Sequence, residues 1–307
     1  MIPNRADIEP PPPRERAEPN RGPQDASTRT ERAHAGGQEE SEADEKEREA
    51  ADHGVAEGEV VYRSVRQDGD HTLAQPNADL AWSGLAAGIS MGFSLIAEGL
   101  LRTHLPQAGW SPLVSKFGYA VGFLIVILGR QQLFTEQTLT AILPLLSRDR
   151  AQGVLSNVVR VWMVILAANL AGTAIIAGVT ARGGAFSPEA QRAFLEIGQA
   201  ALSHGVYPTF IRGIYAGFLI ASMIWLLPAA ESARLWIVLF LSYIVGLGAF
   251  SHVIAGSAEC LYVVFAGHAT LLQYITGFLL PAFLGNAIGG VVLVAALAHV
   301  QHAPAES

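Results

Sequence analysis

The sequence predicts an all-α membrane protein with six transmembrane helices in two inverted three-helix repeats, the second and fifth helices being broken. Half of its 307 residues are apolar and only 15% are charged, against about 25% in an ordinary soluble domain. The segment 1–78 holds 18 of the 27 Asp and Glu and 10 of the 20 Lys and Arg, which leaves 19 charges for the whole of 79–307. So few charges over that length indicate several membrane crossings.

Residues 1–78 predict a disordered acidic N-terminal tail. Seven of the 16 prolines lie in the segment 1–23, and the run 39–49 is nearly all charged, so the tail buries too little apolar surface to offset its chain entropy. No signal peptide is predicted, because the first long apolar stretch begins near Leu80. The tail is either a solvated leader or an arm that binds a partner or gates the membrane domain. Residues 60–78 are a candidate amphipathic lead-in.

Six apolar segments follow, and two of them are too long for straight spans. Segments 80–101, 155–179, 211–229 and 271–299 suit a hydrocarbon core about 30 Å thick. Segments 113–146 and 235–267 would each be about 50 Å long as straight helices. Polar patches, Arg130–Gln137 and Ser251–Glu259, interrupt them. Irregular backbone at membrane depth is tolerated only inside protein or beside a wet cavity, so we expect both patches to face inward.

The two halves, about 79–180 and 205–302, resemble each other. Asn169 and Asn286 each begin an Asn-x-x-Gly motif, and the spacing from Thr135 to Asn169 equals the spacing from His252 to Asn286. The first helix of each half has small residues at every fourth position, which allows close helix packing. Three crossings per half is an odd number, so the second copy is inverted. Binding or conduction is then expected between the copies.

Several other classes of function are excluded. One cysteine rules out an intramolecular disulfide framework and argues against a thiolate metal cluster. The negative charge lies in the tail and says nothing about nucleic acid, but no basic stripe occurs in the sequence, so no nucleic-acid binding is predicted. Gly88-Ile-Ser-Met-Gly92 fits the pattern of a hydrolase nucleophile elbow, but that motif needs a strand before it and this one lies in a membrane helix. We therefore predict no enzyme activity, no cofactor and no metal.

His252 is the main candidate for function. An ionisable side chain in the middle of a membrane segment is costly and marks a functional site by default, and imidazole changes charge nearest neutral pH. A dry constriction opposes a bare anion, whereas a proton supplied by His252 would ease its passage. Two structural alternatives stay open: a histidine that only hydrogen-bonds between helices, and a Thr135 that bonds to its own helix backbone.

A set of motifs, taken in order, resembles the formate/nitrite transporter family, in a branch with a long charged N-terminal extension, over about residues 78–302. The motifs are Leu133-Phe-Thr135, Ala168-Asn-Leu-Ala-Gly172, Gly248-Ala-Phe-Ser-His252 and Leu280-Pro-Ala-Phe-Leu-Gly-Asn-Ala-Ile-Gly-Gly290, with the glycine-rich first helix. The resemblance implies an aquaporin-like protomer with its own pore, a homopentamer, a bacterial inner membrane location and cytoplasmic termini. Arginines flanking the spans only slightly favour the same orientation.

The resemblance also implies a substrate pathway. Thr135, on the loop of the first break, would face His252 across the pore, and Leu133 and Phe134 match apolar constriction residues by motif. Three more constriction residues match by counting along the helices: Tyr119, Phe123 and Val245. The sequence departs from the family at two positions near the histidine. The family usually has an acidic residue just before it, where this chain has Ser251, and an asparagine one helical turn after it, where this chain has Gly256. The family's vestibule lysine has no counterpart near Thr209.

Three further charges, Arg130, Glu136 and Glu259, are expected to form an internal ion-pair network that stabilises the broken segments, pore lining being the alternative. The functional hypothesis is a channel or secondary transporter in the lipid bilayer for small monovalent anions or their weak acids, such as formate or nitrite, assisted by protons. The alternatives are a non-conducting scaffold or sensor, and an aquaporin-like pore for neutral solutes. The pore for neutral solutes is disfavoured because neither break has an Asn-Pro-Ala box.

Overall fold

The computed structural model describes residues 58–146 and 151–302, and the predicted tail lies outside them from 1 to 57. The described chain is helical, and the predicted fold class is confirmed. Its helices are α1 (58–74), α2 (Asn77–His104), α3 (Ser111–Ser115), α4 (Ala120–Leu128), α5 (Phe134–Thr140), α6 (Ala151–Arg182), α7 (Pro188–Leu202), α8 (Val206–Leu226), α9 (Arg234–Leu247), α10 (Val253–Phe265), α11 (Leu271–Tyr274) and α12 (Leu280–His302). A π turn, Ile275–Leu279, joins α11 to α12, and 3₁₀ turns lie at Leu143–Leu146 and Glu231–Ala233.

Five stretches are long and apolar enough to cross a membrane: 77–104, 111–128, 153–182, 206–226 and 271–293. The fifth crossing along the chain is divided between α9 and α10, neither of which is long enough alone. Many large apolar side chains on the spans are exposed, Met163, Phe240 and Val292 among them. Exposed apolar surface of this extent suits a helix bundle whose outer face meets lipid.

A short amphipathic helix precedes each repeat. α1 buries Val61, Tyr62 and Val65, and a Cβ at Gly69 would overlap the carbonyl oxygen of Thr140 at the end of α5. The boundary of the disordered tail at residue 78 was therefore placed too late, because residues 58–74 pack on the membrane domain. Its counterpart α7 was not predicted, although its first turn carries the signals of a helix start: Ser187 Oγ caps the Ala190 N–H, and Pro188 stands at the first helical position.

Both long segments are broken, as predicted, but the irregular backbone is shorter than the polar patches. It covers 129–133 between α4 and α5, and 248–252 between α9 and α10. Each loop has a non-glycine residue in the left-handed region, Arg130 with φ 50° and Ala249 with φ 49°, a conformation that costs energy unless its surroundings enforce it. The rest of each polar patch continues into α5 or α10.

One asparagine holds each break, and the two do so in the same way. The Oδ1 of Asn169 accepts a hydrogen bond from Phe134 N at 2.9 Å, and its Nδ2 donates to the carbonyl oxygens of Gly84 and Gln132. The Oδ1 of Asn286 accepts from Val253 N at 2.8 Å, and its Nδ2 donates to the carbonyl oxygens of Gly213 and Ser251. Each asparagine thus ties the first amide of a half-helix to the loop before it and to the opening helix of its repeat.

These bonds correct the alignment of the repeats that the sequence spacing suggested. Asn169 bonds to the amide of Phe134 and Asn286 to that of Val253, so the residue equivalent to His252 is Leu133 and not Thr135. The equal spacing of Thr135 and His252 from their asparagines is a coincidence, because the bonded partners are 35 positions apart in the first repeat and 33 in the second.

Candidate permeation site

His252 stands at the start of α10, fully buried, with both ring nitrogens in hydrogen bonds. It is the N-cap residue of α10, and its Nδ1 accepts from the Ala255 backbone N–H at 3.2 Å. Its Nε2 lies 2.8 Å from Thr135 Oγ1, across the boundary between the repeats. Since an amide can only donate, Nδ1 carries no proton in this geometry, and the proton of a neutral ring is on Nε2 and points at Thr135.

Thr135 is also fully buried, on the first turn of α5. Its backbone carbonyl accepts from Thr138 Oγ1 at 2.7 Å, but among the described residues its own hydroxyl oxygen bonds to His252. The alternative in which Thr135 bonds to its own helix backbone is therefore not the arrangement found. When Nε2–H donates to Thr135 Oγ1, the hydroxyl proton of Thr135 is left to donate to a further group.

Aromatic rings cover the imidazole on one side. The ring of Phe123 meets that of His252 edge-on at 4.9 Å between centroids, and the Tyr119 ring lies 5.5 Å from that of Phe123. All three rings are buried. Apolar edges around an ionisable ring keep water away from it, which is the environment of a dry constriction.

A cavity of about 200 Å³ opens from His252 toward α7, and we call it the α7-side pocket. Tyr119 and Val245 lie in its wall, and Ser251 and His252 close it at the break. Its remaining lining comes mainly from apolar residues of α7, the second break and the π turn, for example Ile197, Phe250 and Phe278. The ring of Phe278 fills the space beside Gly256, where a Cβ would overlap it. This contact explains why a larger residue, such as the family's asparagine, does not fit there.

Cations line this pocket, though not at the place where the family has its lysine. Lys116, which follows α3, and Arg102, on the last turn of α2, both reach it. Both pair with one carboxylate oxygen, Glu98 Oε1, at 2.8 and 2.7 Å, and the Glu98 side chain is fully buried. Sequence reasoning missed this cluster because its members come from two segments. Two signals were available: the i,i+4 spacing of Glu98 and Arg102, and Lys116 as the one lysine outside the tail.

Glu259 lines the same pocket from α10. It was expected to join Arg130 and Glu136 in an ion-pair network, but the structure separates them: Arg130 and Glu136 line a different cavity on the α1 side. No ion pair found within the described residues, 58–146 and 151–302, includes Arg130, Glu136 or Glu259. The predicted network is therefore wrong, and the loops are held by the asparagines.

The cavity on the α1 side, of about 400 Å³, is more polar, and we call it the α1-side pocket. Ionisable residues contributed by four regions line it: Asp68, His71, Arg130, Glu136, Glu231 and Arg234. Gln137 and Thr140 of α5 line it as well, so α5 runs from this pocket to the Thr135 contact with His252.

Leu133 and Phe134 are buried at the first break. Phe134 packs its ring between Trp162 and Phe283, at 5.6 and 5.3 Å, and is thereby held between α6 and α12. Leu133 takes the N-cap place of α5. Neither residue lines the two pockets described above. The structure thus brings the other four predicted pathway residues to His252 or its pocket and directs Phe134 into helix packing.

Comparisons with known proteins agree with this architecture. The sequence model of the formate/nitrite transporter family matches residues 59–300. The chain is 37% identical over 242 residues to inner membrane protein YfdC of Escherichia coli (strain K12), an alignment that covers 79% of this chain and 78% of that protein. It is 21% identical over 238 residues to the formate channel FocA of Haemophilus influenzae, covering 69% of this chain and 82% of that protein.

Two solved structures are similar in fold. A pentameric formate channel with formate bound superposes with a TM-score of 0.62 over 73% of this chain and 96% of its own, at 19% identity. An FNT family ion channel superposes with a TM-score of 0.69 over 80% of this chain and 99% of its own, also at 19% identity. Family and fold are those of multi-pass membrane channels and transporters and not of enzymes, and this chain belongs to the formate/nitrite transporter family.

Proposed function

We propose that the protein is a channel or secondary transporter for small monovalent anions or their weak acids, such as formate or nitrite, and that His252 assists permeation with a proton. The observation that carries the proposal is the 2.8 Å contact between His252 Nε2 and Thr135 Oγ1. His252 closes the α7-side pocket, and Thr135 directly precedes residues of α5 that line the α1-side pocket. The contact thus lies where the two cavities approach each other.

The chemistry follows from the surroundings of this contact. A bare anion loses most of its hydration beside Phe123 and His252, which is expensive. A hydrogen bond from Nε2–H to an anion oxygen lowers that cost, and a proton that enters from the aqueous side with the anion makes the permeant a neutral acid. The start of α10 adds the positive end of a helix dipole at the same place. The hydroxyl of Thr135 supports the pair as acceptor for the ring and as a further donor.

We extend the proposal to assembly and location. One relative is named an inner membrane protein, and one solved structure of the same fold is a pentamer. We therefore propose a homopentamer in a cell membrane, the inner membrane in a bacterium, with each protomer containing its own pathway and both termini in the cytoplasm. The exposed apolar side chains on the spans are consistent with contacts to lipid and neighbouring protomers.

The test is flux into liposomes that contain the purified full-length protein. Formate, nitrite, acetate and glycerol are supplied outside at matched concentration, from mildly acidic to mildly basic pH, so that the supply of protons varies widely. We expect entry of the weak acids to rise as the pH falls, and His252→Asn to reduce it strongly, because asparagine lacks the ring Nε2–H that meets Thr135.

Other outcomes would favour the alternatives. Flux of glycerol without flux of acids would overturn the proposal in favour of a pore for neutral solutes. Absence of flux for all four solutes, with correctly inserted protein, would favour a scaffold or sensor. Acid flux through His252→Asn equal to that of the wild type would retain the transport function and remove the proton role of His252.

A further inference from the structure

The carboxyl of Glu259 is an ionisable group in the wall of the α7-side pocket, on the same helix as His252. Glu259 follows His252 by two turns of α10, which places both on one face of the helix, about 10 Å apart along its axis. Both line the α7-side pocket. Glu259 is 8% exposed, and α7 covers it so closely that a Cβ at Gly198 would overlap the Glu259 carbonyl oxygen.

No basic side chain of the pocket is paired with the Glu259 carboxylate. The two basic side chains of the pocket, Lys116 and Arg102, are bonded to Glu98. Among the residues that the structure describes, the Glu259 carboxyl is found in neither a hydrogen bond nor an ion pair. The other titratable groups around it, from α2, α3–α4, the α7–α8 turn, α10 and α11, are Glu98, Arg102, Lys116, Tyr119, His204, His252, Cys260 and Tyr274.

An unpaired carboxylate in this narrow, largely apolar pocket is poorly hydrated and therefore costly, and a bound proton removes the charge. With a proton on Glu259, the cluster of Lys116, Arg102 and Glu98 leaves the pocket with one net positive charge, which attracts an anion. After the proton has been given up, the pocket is neutral in sum. An acid that has been neutralised is then no longer held there by charge.

We propose that Glu259 is the group that protonates a weak-acid anion in the α7-side pocket, before the acid reaches His252. The inference rests on the proposed function and names its substrate class: short monocarboxylates and other anions of weak acids, which can accept a proton. In the step, the Glu259 O–H bond breaks and an O–H bond forms on the anion, giving the neutral acid and a Glu259 carboxylate. The Glu259 carboxylate then takes up a proton from the bulk solution, relayed by water in the pocket.

The first test measures acetate entry into proteoliposomes for wild type, Glu259→Gln and Glu196→Gln. Glu196 is an exposed acid on α7, so its variant is a matched control for the loss of one carboxylate. We expect Glu259→Gln to lower acetate entry roughly tenfold or more and to flatten its dependence on pH. Glu196→Gln should match the wild type, and Glu259→Asp should keep part of the rate.

The second test reads the proton directly and needs no transport. Infrared difference spectra between wild type and Glu259→Gln at neutral pH should contain the C=O band of one protonated carboxylic acid, which is absent from the Glu196→Gln difference. Absence of that band would overturn the inference. So would a Glu259→Gln protein whose acetate flux and pH profile equal those of the wild type.

The two proposals fail in different ways. Wild-type protein that shows the infrared band but carries none of the acids overturns the proposed function, and the transfer step with it. Wild-type protein that carries acetate with an unchanged Glu259→Gln variant overturns only the role of Glu259. A Glu259→Gln protein that does not purify as a folded oligomer is replaced by Glu259→Asp. For that variant the infrared difference from the wild type should contain the shifted C=O band of a protonated acid, and the absence of any shift counts against the inference.

Discussion

The two breaks of the molecule share a scaffold but differ in chemistry. Both contain a non-glycine residue of positive φ and a short extended stretch, and both are held by an asparagine through three hydrogen bonds. The N-cap residue is apolar Leu133 at the first break and His252 at the second. The relation between the two repeats therefore accounts for the shared scaffold. A few side chains that differ between the equivalent loops account for the proposed proton chemistry.

The largest effects are expected where each repeat packs its opening helix against its asparagine. A Cβ at Gly88 would overlap the carbonyl oxygen of Asn169, and one at Gly217 that of Asn286. We expect Gly88→Ala and Gly217→Ala each to destabilise the protein by about 3 kcal/mol, the upper end for overpacking. Thermal unfolding in detergent measures the loss. Gly277→Ala, with open space at its Cβ, is the control, and a tolerated change at one repeat alone would break the equivalence.

Removal of either asparagine side chain should come next. Asn169→Ala and Asn286→Ala each leave a half-helix amide and two carbonyl groups in the protein interior without their partner. We expect a loss of about 2–3 kcal/mol in each case, because unsatisfied buried polar groups cost about 1–3 kcal/mol and are partly relieved by relaxation. The same unfolding assay compares the two. Equal losses support the shared scaffold, whereas a much smaller loss at one asparagine would show that its break is held by something else.

A smaller and more specific effect is expected at Thr135. Thr135→Val keeps the volume but removes the hydroxyl that meets His252 Nε2 at 2.8 Å. One hydrogen bond is worth about 1 kcal/mol net, so we expect formate flux to fall about fivefold with little change in unfolding temperature. Thr135→Ser should retain most of the flux. If both variants behave like the wild type, the hydroxyl has no part in permeation.

The smallest effect is expected from the N-terminal tail. A protein that lacks residues 1–57 keeps α1 and should retain the stability and acid flux of the full chain if the tail is a leader. Deletion through residue 75 also removes the packing of Val61, Tyr62 and Val65, and should lower the unfolding temperature. Equal stability of the two truncated proteins would contradict the assignment of α1 to the membrane domain, and loss of flux on the shorter deletion would favour a gating arm.

The sequence predicted the spans, the breaks and the inversion because each depends on local signals. Apolar length predicts a crossing, polar residues inside a long apolar run predict a break, and small residues at every fourth position predict close packing. The pairing of His252 with Thr135 came from motifs of the family and not from the spacing, which aligned the repeats in the wrong register.

The electrostatics of the site could not be predicted from sequence. Glu98 and Arg102 are neighbours at i,i+4 on α2, but Lys116 reaches them only because the chain turns back after α2, and nothing in the sequence spacing sets that distance. The ion-pair network expected for Arg130, Glu136 and Glu259 failed for the same reason, since the two breaks carry them to different cavities. Helix α7 was missed because its apolar face is too short to signal a span.

The most direct test of the account makes the two breaks chemically alike. His252→Leu gives the second break the apolar N-cap residue of the first, and its formate flux in proteoliposomes is compared with wild type at mildly acidic pH, with gel filtration as a check on assembly. We predict a loss of flux of roughly a hundredfold in a protein that still assembles. A His252→Leu protein that carries formate at the wild-type rate and with the wild-type pH profile would contradict the account.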